Sequence, residues 1–539
     1  MAKKKILILG GGFAGVYTAM NLEKMLSKKE DIEIMLVNRE NYFVYQPMLS
    51  EIVSGTLGAL DTVSPLRRLL KNTTLYLRKI DQIDTEKKEV TLDPQFSHTP
   101  LVLSYDYLVL ALGNVTDFKG ARGLHEHAFS FKTLSDAISL RNHLIAVIEA
   151  AATEQDPILR KELLTFVIGG GGFAGCEVAA SLNDFVRNLA GQYKTISVKE
   201  IRVVLVHSKE RLLERELSPS LGRYSETILQ KRGIELRLEQ RLIRATPNSA
   251  IIQIGKKEES IFSQTVISTV PSSPNPLLGE LPLPMEFGKV KTDSFLQVEG
   301  SDSVWAVGDC ALIPRADPDK EGEFYPPTAQ FAVREAEVVA KNIIASLRGG
   351  KKKPMTYNGL GVMGALGHRC AVGEIGKFKV SGLLAWIVWR AVYLFKLPGL
   401  DRKIKVAISW LLDTIVPDET VQLRLNEQED TRELYFEKNS TVFKEGDLGD
   451  TLYIIASGSV GVYKGKKQIA TLKKGELFGE IALISNQGRS ATIKCLEQTK
   501  LIAISKRTFD LLSSGLPTVA KLARRAAKKR GFKLPKLAM

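Results

Sequence analysis

"KKILILGGGFAG" (Lys4–Gly15) and "LLTFVIGGGGFAG" (Leu163–Gly175) carry the same glycine turn twice in one chain. Each copy puts an apolar, strand-like run directly before a G-x-G-x-x-G and a helical pattern directly after it, the context in which that motif reads as the first turn of a dinucleotide fold. The first glycine (Gly10, Gly170) ends the strand. The second (Gly12, Gly172) lets the backbone approach a pyrophosphate, and the third (Gly15, Gly175) permits close packing of helix on strand. Phosphates are then expected at the helix N-terminus, where free N–H groups and the dipole favour negative charge. Two such units about one domain length apart imply two dinucleotides, and the simplest use of two is to pass electrons between them.

The 539 residues are enough for three or four domains, and 44% hydrophobic with 25% charged residues is ordinary globular usage. Cys176, Cys310, Cys370 and Cys495 are scattered without CxxC spacing, so neither a disulfide framework nor a zinc site is expected. The chain begins MAKKKILIL and enters its first strand at once, which leaves no room for a cleavable signal peptide and suggests the cytoplasmic side. A net charge of +15 suggests an anionic partner surface, nucleic acid or membrane.

The first unit has the marks of a site for flavin adenine dinucleotide (FAD). Its second strand, IEIMLV, ends at Asn38-Arg39, where the motif expects an acidic residue for the ribose, and the Asn38 amide still offers a bond to a hydroxyl. Further on, YDYLVLALGN (Tyr105–Asn114) runs a strand into a glycine turn containing Ala111 and Gly113, and SVWAVGDCA places Asp309 behind Gly308 after another strand. A carboxylate there suits the ribitol and pyrophosphate of a flavin, the alternative being an ordinary Asp-capped turn.

With these pieces in order, the chain from Lys3 to about Leu423 resembles the type II NADH dehydrogenases, single-subunit, FAD-containing NADH:quinone oxidoreductases that pump no protons. The matching stretches are GGGFAG, RENYFVYQPMLSEIVSG, YDYLVLALGN, GGGGFAGCEVAASL, VWAVGDCA, PPTAQFAVREA and LLDTIVPDETVQL. The resemblance implies an α/β fold with two Rossmann-like dinucleotide domains. FAD would be held by residues 1–120 together with 290–335, with Phe13, Ala14, Arg39, Ala329 and Gln330 among its neighbours. NADH or NADPH would be held by 160–285, and 350–425 would dock on a membrane beside a quinone site. A homodimer is expected on the same ground.

Hydride and electron transfer through a flavin ask the protein mainly for positioning, so few acid–base residues are needed. Glu177, two residues after the last glycine of the second turn, matches a family glutamate near flavin and nicotinamide and is the expected orienting or proton-relaying group. The competing explanation is a first-turn carboxylate favoured by the helix dipole. Ala329-Gln330, after PPT, matches the family segment that faces flavin and quinone. Amides at that helix N-terminus would stabilise negative charge on the flavin, unless Gln330 is simply an exposed residue of a proline-started helix.

At the second unit, IRVVLV ends in His207-Ser208-Lys209, where an NADH-selective site presents Glu or Asp to the ribose. Without that carboxylate a 2'-phosphate is not repelled, and Lys209 attracts it, so NADPH is expected to be tolerated or even preferred, the alternative being that His207 is a plain strand-end residue in an enzyme that holds NADH by other contacts. Sulfide:quinone oxidoreductases share this architecture but need cysteines beside the flavin, and Cys176, Cys310 and Cys370 are not paired in that way. A redox sensor with slow turnover is the other alternative.

SGLLAWIVWRAVYLFKLPGL is apolar from Leu383 to Leu397 but broken by Arg390 and Lys396 and ended by Pro398, short of the roughly 20 apolar residues a span needs. KIKVAISWLLDTIV follows, also apolar at helical spacing. With Lys377, Lys379, Arg402, Lys403 and Lys405 around them, the pair suits amphipathic helices lying in the interface of a phospholipid membrane, on the cytoplasmic face. The alternative is packing on the enzyme's own core or a second subunit.

After the charged linker NEQEDTRE, short alternating strands punctuated by glycine argue for an antiparallel β-roll. Residues 430–515 resemble a cyclic nucleotide-binding domain, whose phosphate-binding cassette is GELFGEIAL followed by GRSAT. Gly479 and Glu480 match the pair that meets the ribose 2'-OH. Arg489 matches the residue that meets the cyclic phosphate, and Ser490 and Ala491 complete the turn. Gly488 stands where the family often has proline. The domain is expected to bind cAMP or cGMP and to act on the enzyme through the segment from Leu383 to Leu425. The basic tail, 516–539, has no recognition-helix context, so nucleic acid is not expected as a partner.

Overall fold

The computed structural model describes residues 3–26, 31–94, 99–116, 121–269, 273–316, 322–413, 415, 420–422, 431–481, 488–506 and 508–509. The basic tail, most of NEQEDTRE and the middle of the phosphate cassette lie outside the described residues. Of the linker stretch, Thr431, Arg432 and Glu433 already belong to the first strand of the C-terminal roll, Thr431–Phe436, rather than to a connection.

Two five-stranded parallel sheets are built to one plan. In the first the order is Val304–Ala306, Tyr107–Leu110, Lys4–Leu9, Ile32–Asn38, Thr73–Leu77. In the second it is Ala128–Ser130, Thr265–Ser268, Thr165–Gly169, Arg202–Val206, Ile234–Arg237. Each glycine turn leaves the central strand and enters a helix, Phe13–Met25 or Phe173–Ala190. Central strands covered on both faces read as continuous apolar runs, and Ile6 to Leu9 and Phe166 to Ile168 are fully buried.

The glycines are required by geometry. Gly10 and Gly170 have φ of +111° and +117°. A Cβ on Gly15 would lie 1.9 Å from the Gly10 carbonyl oxygen, and one on Gly175 would lie 1.8 Å from that of Gly170, so the helix can approach the strand this closely only without side chains.

A three-stranded antiparallel sheet, Val362–Ala365, Ala371–Ile375 and Phe378–Ser381, joins the nucleotide folds to two helices, Gly382–Lys396 and Leu400–Leu412. The C-terminal part folds as two four-stranded antiparallel sheets around its own core of Phe436, Tyr453, Phe478 and Leu501.

Candidate functional site

The first glycine turn is laid out as a phosphate cradle. A Cβ on Gly12 would meet nothing within 4 Å, whereas one on Gly10 would strike the Ala111 carbonyl oxygen at 2.2 Å. The backbone is thus pinned on one side and open on the other, at a helix N-terminus capped by no side chain. Phe13 packs edge-on against Phe43, ring centroids 5.0 Å apart, and tilted against Tyr45 at 5.6 Å.

Asn38 is committed to the turn itself: its Oδ1 accepts the Gly11 N–H at 2.9 Å and its Nδ2 donates to the Glu40 carbonyl at 2.8 Å. Arg39 beside it is exposed and pairs with Glu40. The Gly308 turn, φ +73°, sits over the first helix, where a Cβ on Gly308 would lie 3.1 Å from the Ala14 methyl. Asp309 accepts from Asn114 Nδ2 at 2.9 Å. Burial raises its carboxyl above the ordinary range, and Lys132 and Lys289 pull it partly back.

Two groups here escaped the sequence reading. Lys132 donates to the Asn114 carbonyl at 2.7 Å, and burial lowers its ammonium to about 8 against the pull of Asp309 and Asp136. Glu335 accepts the Gly308 N–H at 2.7 Å, and burial raises it to about 7. Glu335 stood inside PPTAQFAVREA, where its place on the buried face of the helix Ala329–Arg348 was the available signal. Lys132 gave none, since its partners Asn114 and Asp309 lie in other stretches of the chain.

The second turn repeats the first with one difference. The Gly171 N–H donates to His207 Nδ1 at 3.1 Å, the same bond that Asn38 makes in the first unit. Burial lowers the His207 pKa, with Lys209 and Arg215 working the same way and Arg211 and Glu214 against it. Lys209 is exposed at the strand end. Gly172 is less open than Gly12, because a Cβ there would lie 2.9 Å from Glu216 Oε1.

Glu177 is not in the first turn of its helix. The helix begins at Phe173, so Glu177 is its fifth residue, and the dipole offers no account of it. It points beneath the sheet at Val362–Ala365, where Oε1 accepts the Ala365 N–H at 3.1 Å. Burial raises its pKa to about 8, the Ala365 bond opposing and the charge of Glu51 assisting. Tyr393 closes the same space: its hydroxyl donates to the Met363 carbonyl at 3.3 Å and its ring stands edge-on to Tyr45. Gln330 is held rather than exposed, donating to the Gly361 carbonyl at 3.3 Å and accepting from the Leu360 N–H at 3.0 Å. Glu177, Tyr393, Tyr45 and Gln330 thus converge around the connecting sheet from four separate stretches of chain.

Behind them, the guanidinium of Arg390 lies over Trp386 at 3.9 Å and Trp410 at 4.8 Å, 3.2 Å from Asp413 and 3.7 Å from Glu51. The charge that interrupts the apolar run is therefore an internal one. Arg402 also turns inward, donating to the Leu60 carbonyl at 2.8 Å, which corrects its expected place on a cationic rim. The opposite face of the two helices is apolar and open: Leu384 is 65% exposed, Phe395 81% and Leu411 63%. Among the described residues no helix is long and apolar enough to cross a membrane.

In the C-terminal roll, Glu480 and Arg489 are buried, Gly479 has φ +88°, Ser490 is exposed and Ala491 is buried. Arg489 Nη1 donates to the carbonyls of Thr451 at 2.9 Å and Gly479 at 3.0 Å. A Cβ on Gly488 would lie 3.0 Å from the Gly446 carbonyl oxygen, so the turn closes tightly where proline was the expected residue.

Comparison with known proteins agrees with this geometry. The profile of the pyridine nucleotide-disulphide oxidoreductases matches residues 4–336, and that of the cyclic nucleotide-binding domain matches 433–514. Demethylphylloquinone reductase NdbB of Synechocystis is 32% identical over 415 residues, covering 76% of this chain and 96% of its own. The type II NADH:quinone oxidoreductase NdhA of Mycobacterium tuberculosis is 27% identical over 424 residues, covering 76% and 86%. NDH2 of Plasmodium falciparum, solved in complex with NADH, superposes with a TM-score of 0.71 at 19% identity, covering 78% of this chain and all of that one, a likeness of fold.

Proposed function

From a chain that belongs to the pyridine nucleotide-disulphide oxidoreductases and, within them, to the type II NADH:quinone oxidoreductases, we infer an enzyme that passes electrons from NADH or NADPH through FAD to a quinone and carries a cyclic nucleotide-binding domain. The observation that carries this is the duplicated glycine turn, each copy on the central strand of a sheet of the same order. FAD fits the first cradle. Gly12 leaves room for its pyrophosphate while Gly10 and Gly15 let strand, turn and helix close together, Phe13, Ala14, Ala111, Gly113 and Gly308 would line it, and Asn38 and Arg39 would stand at the adenosine end. Asp309, steadied by Asn114 and Lys132, would meet the ribitol. The chemistry FAD supplies when bound is acceptance of a hydride and delivery of two electrons to the quinone.

The chain's own residues do the rest. Gly170, Gly172 and Gly175 would hold the nicotinamide nucleotide, with His207 and Lys209 at its ribose. A carboxyl raised to about 8 is protonated at neutral pH, so Glu177 would serve as donor and orienting group toward the nicotinamide and flavin. The N-terminus of the helix Ala329–Arg348, entered at Ala329-Gln330 and capped by no side chain, would present amides to the flavin and quinone. The open apolar face of Gly382–Lys396 and Leu400–Leu412 suits docking on the cytoplasmic face of a membrane, and a homodimer is the assembly the family leads us to expect. Glu480 and Arg489 would take a cyclic nucleotide through its ribose and phosphate.

Sulfide oxidation is disfavoured by the cysteines. Cys176 and Cys310 are buried free thiols whose pKa values burial raises. Anaerobic addition of NADH or NADPH should bleach the flavin of the purified protein and a quinone should restore its colour. Bleaching by sulfide alone, with none by either nucleotide, would replace this function with a sulfur one.

A further inference from the structure

The phosphate seat of the C-terminal roll is taken by the chain's own carboxylate. Glu126 lies on a single helical turn, Leu124–His127, in the connection between the two nucleotide folds. Its Oε1 accepts from Arg489 Nη2 at 3.1 Å, and the two side chains are 3% and 1% exposed. The Tyr453 hydroxyl donates to the same carboxylate, and His125 Nε2 lies 3.0 Å from that hydroxyl. Burial works against a charged Glu126, but Arg489, His125 and His127 outweigh it and hold its carboxyl below the ordinary range. A buried guanidinium is costly without a counter-charge, and the only described carboxylate paired with Arg489 comes from the oxidoreductase.

Resting on the cyclic-nucleotide reading above, we propose that Glu126 stands in for the cyclic phosphate, so that a 3',5'-cyclic nucleotide binds only by displacing it. Both groups are monoanions presenting oxygens to one guanidinium, so the exchange is balanced in charge. The linker is the fixed partner. Leu124 is fully buried, and a Cβ on Gly123 would lie 2.1 Å from the Ala245 carbonyl oxygen. The roll is the part that gives way. Its other contacts include the ion pair of Glu433 with Lys79 at 2.8 Å, exposed and individually weak. The connection that Glu126 belongs to holds the flavin-side Asn114 at one end and Lys132 at the other. Ligand binding is thereby reported to the join between the two nucleotide folds, rather than through the segment from Leu383 to Leu425.

Calorimetry on the full-length flavoprotein, with cAMP and with cGMP, tests this in wild type, Glu126→Gln and Arg489→Ala. The glutamine variant should bind one of them about tenfold tighter or more, since apparent affinity scales with the fraction of open pocket, and the alanine variant should bind neither. In wild type, saturating cyclic nucleotide should speed hydrogen exchange across residues 121–130, a measurement that decides the matter even if Glu126→Gln does not fold. Equal affinity in wild type and Glu126→Gln, or binding with no change in exchange, overturns the displacement and leaves the cyclic-nucleotide reading standing. Failure of both proteins to bind either nucleotide overturns that reading, and the displacement with it.

Discussion

Glu177 accepts the backbone N–H of Ala365 at 3.1 Å, which ties a carboxyl of the second nucleotide fold to the sheet that carries the two apolar helices. Its raised pKa follows from that enclosure and has a measurable sign. A carboxyl raised from 4.5 to about 8 binds its proton more tightly folded than unfolded, so its stabilising contribution is full below about 4.5 and is lost as pH rises through about 8. Glu51 and Glu335 act in the same direction up to about 7. Followed by thermal unfolding, Glu177→Gln should therefore lose less stability than wild type as pH rises from 5 to about 8, and the two profiles should run parallel above that. The same variant should lower kcat by about tenfold or more and remove the alkaline limb of its pH profile, as expected of a proton-donating group.

Asp309→Ala should give colourless protein. The carboxylate is bonded to Asn114 and shielded with Lys132, and bound FAD stabilises the native state by mass action. Full flavin occupancy at dilute concentration would remove Asp309 from the flavin site.

With His207 bonded to Gly171 and Lys209 exposed, the strand end offers a cation to a 2'-phosphate, against the opposing charge of Glu214. NADPH should be used with a kcat/KM within about tenfold of that for NADH, and Lys209→Glu should depress the NADPH value by about tenfold, more than the NADH value. A wild-type preference for NADH of a thousandfold would set this aside.

Replacing Arg390 by Met should cost about 3–5 kcal/mol in chemical denaturation, because Glu51 and Asp413 would be left buried without their cation. Double replacement of Glu51 by Gln and Asp413 by Asn in that background should recover part of the loss.

The outer face of the helices predicts its own test. Leu384→Asp with Phe395→Asp should leave flavin content unchanged and reduce co-sedimentation with vesicles containing anionic phospholipid. Equal sedimentation of both proteins would point to a different docking surface.

The two dinucleotide folds and the β-roll were legible in the sequence because their signals are local: a glycine that must have positive φ, a helix that must approach a strand, apolar runs of strand length. Glu177 and Gln330 could be named from their motifs, yet what holds them came from residues 188 and 30 positions further along the chain. Asn38 and His207 looked like departures from a ribose-binding pattern, and only folding showed that each is spent on the amide of the glycine turn beside it. Lys132 and above all Glu126 carried no sequence signal and Arg390 showed only as a break in an apolar run, since each acquires its role by meeting a charge from a distant stretch. Sequence determined the elements and their turns through backbone sterics and hydrophobic period. Tertiary structure alone decided which buried charges meet, because the energy of a buried ion depends on its neighbours in space and not on its neighbours in the chain.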